Sequence, residues 1–140
     1  MEDAKQRAQE KLDRMHRDRG YLIPVHKIMV QADPDWADRY DDLVHQTYLR
    51  QGALDRKTKE LLQFVVLAAL RSDVDHIADH ARLAIEHGAT PGEALEALEC
   101  VLMPMGALGF NAGLKAWAKV TGVEELQPST DASAPGRAAD

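Results

Sequence analysis

The chain has 140 residues, of which 45% are hydrophobic and 29% are charged, and this composition fits one globular domain with a modest core. Its net charge of -6 opposes sequence-independent nucleic-acid binding, which needs clustered Lys and Arg. No apolar run approaches the ~20 residues of a membrane span, no secretion signal is evident, and one cysteine excludes an intrachain disulfide framework. We therefore expect a cytoplasmic protein that binds neither membranes nor nucleic acid.

The first third of the chain predicts three helical segments. Residues 2–19 form a highly charged helix with a thin apolar seam, which should dock on its own or another subunit. Residues 21–31 are apolar, and Pro24 favours an extended lead followed by a short helix. Asp33 caps a helix over Pro34 to Gln51, whose charged residues should point outward. Helical spacing predicts a mostly buried face on this helix, formed by Trp36, Tyr40, Leu43, Val44, Thr47 and Tyr48.

The next two helices carry the most informative residues. Asp55 opens a helix over Arg56 to Leu70 that is apolar nearly all round, which predicts a central, fully enclosed helix. Asp73 opens a shorter helix that Gly88 ends, and apolar residues recur along it at helical spacing. Two histidines one turn apart lie between its apolar stripe and its charged stripe: His76 and His80.

The last part of the chain predicts two more helices and a tail. The sequence Thr90-Pro91-Gly92-Glu93 has the form of a capping box, so a helix begins at Pro91 and runs toward Met103. A closing helix spans roughly residues 110–120 and stops at Gly122. Residues 127–140 have the composition of a disordered end. The pattern therefore predicts an all-α fold of about six helices in one domain, residues 1–126.

The chain resembles the carboxymuconolactone decarboxylase family, which includes the alkylhydroperoxidase D-like proteins. The resemblance is carried by LDRKTKELLQFVVLAAL, then HARLAIEHGATPGEALEAL, then a glycine-containing turn and a closing helix, over roughly residues 33–122. Its most specific element is His80-x-x-x-Ala84-x-x-x-Gly88-x-Thr90-x-x-Glu93. The resemblance implies a compact helical fold that assembles into trimers or hexamers, with an active site close to subunit contacts.

The peroxidase branch of that family uses a Cys-x-x-Cys pair shortly before the histidine. The corresponding positions here are Asp73 and His76, so both thiols are missing. A dithiol peroxidase needs one thiolate to attack the peroxide and a second thiol to resolve the product, which disfavours this activity. His80 keeps the family's histidine position, and Glu60 stands where the relay glutamate is expected if one residue is inserted at Arg71-Ser72.

The decarboxylase branch does not use the cysteine pair but keeps the histidine. The resemblance therefore implies that His80 acts as general acid or base on a small organic acid or lactone, supported by Glu60 and His76. The turn of residues 104–108 departs from that branch, so the specific substrate does not carry over. The alternative is a non-catalytic oligomeric binding module of the same fold.

The residues themselves also allow a metal site. His76 and His80 are spaced i, i+4, and Glu60 on the preceding helix could complete a two-histidine, one-carboxylate set for a divalent transition metal, Fe, Zn or Mn. This spacing is common, and such a pair is more often a polar flank or a packed pair than a metal site.

Other reactive side chains have simpler interpretations. Cys100 lies in an apolar helix without a resolving partner, which predicts a small core residue. His26 and His45 are expected to be half-buried surface histidines, although the two could complete a polar pocket. Met103 and Met105 flank a proline and should line a pliant apolar pocket or a subunit contact, or pack in the core.

Overall fold

The computed structural model describes residues 2–128, and within that range the chain is all-helical and contains no strand. The predicted fold class is therefore confirmed. The α-helices are α1 (Glu2–Arg19), α2 (Pro24–Ala32), α3 (Pro34–Val44), α4 (Arg56–Ala69), α5 (Val74–Glu86), α6 (Pro91–Cys100), α7 (Leu102–Met105) and α8 (Ala107–Thr121). A π-helical turn, His45–Leu49, continues α3. The predicted disordered tail lies outside the described residues from residue 129 onward.

The helix starts follow the predicted capping chemistry. The side chains of Asp33, Asp55 and Asp73 each accept a backbone N–H of the first helical turn that follows them. Thr90 and Glu93 form the predicted capping box, in which Thr90 Oγ1 accepts from the Glu93 N–H at 3.0 Å and Glu93 Oε2 accepts from the Thr90 N–H at 2.7 Å. Local hydrogen bonding therefore fixes where these four helices begin.

Helices α4, α5, α6 and α8 form a C-terminal bundle around one apolar core. Close packing within the bundle depends on glycine in α8. A Cβ atom on Gly113 would lie 2.5 Å from Leu98 Cδ2 and 3.0 Å from Ala68 Cβ, so a side chain there would force α8 away from its neighbours. The fully or nearly fully buried core residues of the bundle are Phe64, Ala68, Ile77, Ala78, Ala81, Ala94, Leu98 and Ala116.

Helices α1, α2 and α3 form a separate N-terminal layer with its own small core. Gly20 ends α1 with a φ of +82°, and a Cβ atom on it would lie 2.6 Å from Leu83 Cδ2 of α5. The Arg82 guanidinium donates to the Gly20 carbonyl at 2.9 Å. The end of α1 is therefore attached to α5 of its own chain. The core residues of the layer are Met15, Met29, Val30 and Ala37.

The prediction for the face of the third helix was wrong in detail. Trp36 and Leu43 are exposed, whereas Asp41 is buried with only 2% of its surface accessible. Asp41 is buried because Arg19, itself 1% exposed, forms an ion pair with it across the layer. The spacing of hydrophobic residues predicts which apolar side chains lie in a helix interface. It does not predict a buried ion pair such as that of Arg19 and Asp41.

Two further predictions about burial were wrong. Helix α4 is not enclosed on all sides, because the bundle packs against one side of it and leaves Leu62, Val66 and Leu70 exposed. We call these three side chains the apolar face of α4. Cys100 is exposed on α6 and not in the core, and its thiol donates to the Ala97 carbonyl at 3.3 Å. None of the helices within residues 2–128 is long and apolar enough to cross a membrane.

Candidate active site

The structure brings Glu60 of α4 and His80 of α5 together at the boundary between the bundle and the N-terminal layer. Glu60 Oε2 lies 2.7 Å from His80 Nδ1. Glu60 is 0% and His80 1% exposed, so this polar pair is buried in its single chain. A charged or polar group is stable in the interior only when its hydrogen bonds are satisfied. Glu60 meets this condition through further hydrogen-bond partners.

Two donors from outside the pair hold the second oxygen of Glu60. Glu60 Oε1 accepts hydrogen bonds from the Tyr48 hydroxyl and from Arg56 Nε. Burial alone would raise the pKa of Glu60, but the hydrogen bonds from His80, Tyr48 and Arg56 outweigh burial and lower this pKa. Glu60 is therefore an ionised carboxylate at neutral pH.

The ionised carboxylate decides where the proton of the His80 ring lies. A carboxylate only accepts hydrogen bonds, so Nδ1 must carry the proton that it donates to Glu60. In the neutral form of the ring, this arrangement leaves the lone pair on Nε2. Among residues 2–128, no hydrogen-bond partner reaches this buried Nε2 atom. A buried ring nitrogen without a partner is costly for a purely structural histidine, and it is useful to a histidine that exchanges a proton with a bound molecule.

Aromatic rings surround His80 on its other sides. The ring centroid of Tyr21, from the segment between α1 and α2, lies 4.7 Å from that of His80, with an edge-on contact. The centroid of His76 lies 5.3 Å away. Burial raises the pKa of Tyr21 to about 12, and burial and the nearby His80 lower the pKa of His76, so both rings are neutral at neutral pH. His76 is half-buried, and its Nδ1 lies 3.5 Å from Ser72 Oγ.

A second buried polar cluster adjoins the pair in the N-terminal layer. Arg19 Nη2 donates to Asp41 Oδ1 at 2.5 Å, and Arg19 Nη1 lies 3.0 Å from His26 Nε2. Burial and the Arg19 charge lower the pKa of His26 to about 4, so His26 is a neutral partner of the guanidinium. Arg56 connects the two clusters, because its Nη2 donates to the Arg19 carbonyl at 2.9 Å.

The two histidines outside the predicted site differ from each other. His26 is 1% exposed, so the prediction of a half-buried surface histidine was wrong for this residue. That prediction was correct for His45, which is half-buried and lies 3.0 Å from Asp18 Oδ2 through its Nε2. The difference follows from Arg19, whose buried guanidinium requires an acceptor that an exposed histidine could not provide.

The three predicted site residues are not arranged as a metal-ligand set. Glu60 uses one oxygen for His80 Nδ1 and the other for Tyr48 and Arg56. Within the described part of the chain, no group of three or more His, Cys, Asp or Glu side chains could hold a metal ion. The structure therefore presents Glu60 and His80 as a hydrogen-bonded pair with His76 beside it, and the metal alternative stays a prediction.

The sequence analysis did not predict three residues of the site, which are Arg56, Tyr48 and Tyr21. Arg56 precedes Glu60 by one helical turn, which is a usable signal for an ion pair on α4. Tyr48 reaches Glu60 from the π-helical turn across the following loop, and no local pattern indicates this contact. Tyr21 is brought to His80 by the docking of α1 on α5, which only the folded chain specifies.

Comparison with known proteins shows the family of this chain. The sequence model of the carboxymuconolactone decarboxylase family matches residues 34–119, which is more than half of the chain. The chain therefore belongs to the carboxymuconolactone decarboxylase family. A search of curated proteins finds no match.

The fold is also similar to a solved structure. It is the crystal structure of a "putative carboxymuconolactone decarboxylase" from Burkholderia xenovorans LB400, with a TM-score of 0.72 and 20% sequence identity. The match covers 82% of this chain and 92% of that one. At this level of identity the likeness shows the fold. The family match contains Tyr48, Arg56, Glu60, His76 and His80, whereas α1, α2 and Tyr21 lie before its first residue.

Proposed function

We propose that this protein is an enzyme that acts on a small organic acid or lactone, with His80 as the general acid and base. The single observation that carries this proposal is the placement of the His80 ring, whose Nδ1 is hydrogen-bonded to ionised Glu60 while Nε2 is buried and has no hydrogen-bond partner among residues 2–128. A histidine in this state can take a proton from a bound molecule and return it elsewhere.

A decarboxylation by this pair consumes one proton from solvent and releases carbon dioxide. The substrate binds as a carboxylate, and Nε2 takes up one proton from solvent, which gives a protonated His80 ring beside the carboxylate. The bond between that carboxylate and its neighbouring carbon then breaks, carbon dioxide leaves, and the electron pair remains on the carbon. Nε2 donates its proton to that carbon. Glu60 stabilises the protonated ring between these two transfers, since its Oε2 accepts the hydrogen bond from His80 Nδ1 over an N–O distance of 2.7 Å.

The walls of the site support this chemistry. Tyr21 and His76 pack around His80 and keep its ring away from bulk water, which strengthens the interaction of the ring with Glu60. His76 is half-buried, so it lies between the buried ring and solvent. We assign His76 a supporting role in moving protons to and from His80.

A substrate screen with matched variants tests the proposal. The panel contains small lactones that carry a carboxyl group and small unsaturated carboxylic acids, and carbon dioxide release is measured. His80→Gln should lower turnover of any substrate by about 100-fold or more, because general acid–base catalysis contributes about 10² to 10⁴. His87→Gln is the control, since His87 is an exposed histidine at the end of the same helix. Equal turnover by His80→Gln and wild type would overturn the proposal.

The same screen separates the enzyme from the non-catalytic binding module. A compound that binds wild type and His80→Gln equally, without being consumed, would favour the module. Elemental analysis after reconstitution with iron, zinc or manganese addresses the metal alternative. Stoichiometric metal that is lost in His76→Ala would favour the metal site over the hydrogen-bonded pair.

We further propose that the protein works as a homo-oligomer. The apolar face of α4 borders a hollow of about 200 Å³ that is almost entirely apolar, lined by Val65, Val66 and Ala69 of α4 and by Pro104 and Met105 of α7. Met105 thus lines an apolar hollow, one of the places expected for it. An exposed apolar surface of this kind is characteristic of a subunit contact.

A further inference from the structure

The strongest unexplained feature of the site is that Glu60 has more donors than a pair with His80 needs. Its Oε2 serves His80, while its Oε1 accepts from both Tyr48 and Arg56. Neither donor touches the His80 nitrogen that faces the substrate in the proposed function. The Tyr48 ring also contacts the His80 ring edge-on, with 6.1 Å between the centroids, but the hydrogen bonds from Tyr48 and Arg56 reach His80 only through Glu60.

We infer that Tyr48 and Arg56 are positioning residues that keep the lone pair of His80 on Nε2. This inference rests on the proposed function for its catalytic meaning, but the state of the His80 ring can be measured without any substrate. It also assigns a role to the π-helical turn, because the wider turn of His45–Leu49 brings Tyr48 to the carboxylate.

The groups that face Glu60 and His80 are Tyr48 from the π-helical turn, Arg56 from α4, Tyr21 from the segment before α2 and His76 from α5. Among these four groups, Arg56 carries the permanent positive charge. It compensates the negative charge of Glu60, so Glu60 stays ionised although it is buried.

Removing the Arg56 charge leaves one buried negative charge without compensation, and the pair then gains a proton. The proton has two possible positions. If it binds His80, both ring nitrogens are protonated. If it binds Glu60, the carboxylic acid donates to Nδ1, and the ring proton must lie on Nε2. Nε2 loses its lone pair in both arrangements.

Tyr48 acts on the same oxygen with a smaller effect. Burial raises the pKa of the Tyr48 hydroxyl, as does its hydrogen bond to Glu60, so Tyr48 is a neutral donor to the carboxylate. Loss of a neutral donor weakens the ionised form of Glu60 less than loss of a charged one. Tyr48→Phe should therefore shift the protonation of Nε2 in the same direction as Arg56→Gln, by a smaller amount.

The experiment uses the full chain labelled with ¹⁵N-histidine, and NMR follows the His80 ring nitrogens over pH. In wild type the Nε2 signal should be that of an unprotonated nitrogen at neutral pH. In Arg56→Gln the midpoint of Nε2 protonation should rise by at least about one pH unit, a tenfold gain in proton affinity. Arg56→Lys keeps the charge and should restore most of the wild-type behaviour.

Two control variants test whether the effect is specific. Tyr40→Phe removes a hydroxyl from α3, and Arg50→Gln removes an exposed positive charge from the loop before α4. Neither should move the midpoint. Circular dichroism checks that each variant is folded, and Tyr48→Phe, which loses one oxygen atom, gives the same test if Arg56→Gln does not fold.

An unchanged Nε2 midpoint in folded Tyr48→Phe and Arg56→Gln would overturn the inference. An equal shift in the control variants would overturn it as well. This failure differs from that of the proposed function, which fails when His80→Gln keeps its turnover. The Nε2 midpoint could shift in Arg56→Gln and Tyr48→Phe while His80→Gln keeps its turnover. This combination would support the positioning role of Tyr48 and Arg56 and reject the catalytic role of His80.

Discussion

The N-terminal layer and the C-terminal bundle achieve burial by different means. The bundle core consists of apolar side chains, many of them alanine, and its helices approach closely at Gly113. The layer has a smaller apolar core and places Arg19, His26 and Asp41 in its interior. Apolar packing tolerates changes of pH and salt, whereas a buried polar cluster is stable only while each member keeps its partner. The candidate site lies where these two kinds of interior meet.

The largest expected effect comes from breaking the ion pair of the layer. Asp41→Ala leaves the Arg19 guanidinium buried without its carboxylate, and the free energy of unfolding should fall by about 3–5 kcal/mol. Asp38→Ala on the same helix is the control, because its ion pair with Lys11 is partly exposed and should cost about 1 kcal/mol or less. Urea unfolding measures both. An equal decrease of the free energy of unfolding in the two variants would show that the buried ion pair does not stabilise the N-terminal layer.

The next effect is a dependence of stability on pH that originates in the layer. Because burial lowers the pKa of His26 to about 4, the unfolded chain binds a proton at His26 between about pH 6.5 and 4 while the folded chain does not. The free energy of unfolding should therefore fall as pH falls through this window, by about 3 kcal/mol from His26. His26→Gln should flatten the dependence, whereas His45→Gln, at a half-buried surface histidine, should not. A wild-type stability that is constant over this window would contradict the account.

A smaller effect is expected from crowding the bundle. Gly113→Ala should lower the free energy of unfolding by about 1–3 kcal/mol, because the new Cβ atom would lie 2.5 Å from Leu98 Cδ2. Gly92→Ala is the matched control in α6, where the nearest atom would be 3.8 Å away. We expect it to be neutral or slightly stabilising in thermal unfolding. If Gly92→Ala were destabilised and Gly113→Ala were not, the close packing of α8 at Gly113 would be contradicted.

The smallest effect on the single chain should come from the apolar face of α4. Leu70→Lys should change the stability of the monomer by about 0.5 kcal/mol or less, since Leu70 is 72% exposed. It should nevertheless weaken self-association, measured by sedimentation. Ile28→Lys on α2 is the control, because Ile28 is also exposed but lies in the N-terminal layer. Association that is lost equally in both variants would argue against a contact at this face.

The bundle was far more predictable from sequence than the layer. Local rules gave the starts of its helices, since Asp55, Asp73 and Thr90 act within their own first turns. The family position of His80 and the expected relay position of Glu60 also named two side chains that lie in contact in the structure. The exposure of Cys100 was missed because an apolar helix segment does not reveal which of its sides has a neighbour.

The layer and its part of the site depend on contacts that sequence spacing does not encode. Arg19 and Asp41 read as solvated charges on amphipathic helices, and they are buried only because α1 and α3 face each other. Tyr21 meets His80 only because α1 docks on α5. The π-helical turn that carries Tyr48 has no sequence signature that we could identify. Tertiary packing, and not local propensity, decides each of these positions.

His80 and Glu60 share one proton in their hydrogen bond, and the position of this proton decides whether Nε2 can accept another. The most direct measurement is the ¹⁵N NMR spectrum of the His80 ring in the unmodified protein at neutral pH. The account predicts a protonated Nδ1 and an unprotonated Nε2, with a strongly deshielded Nδ1 proton from the 2.7 Å hydrogen bond. A ring with its only proton on Nε2, or with protons on both nitrogens, would contradict it.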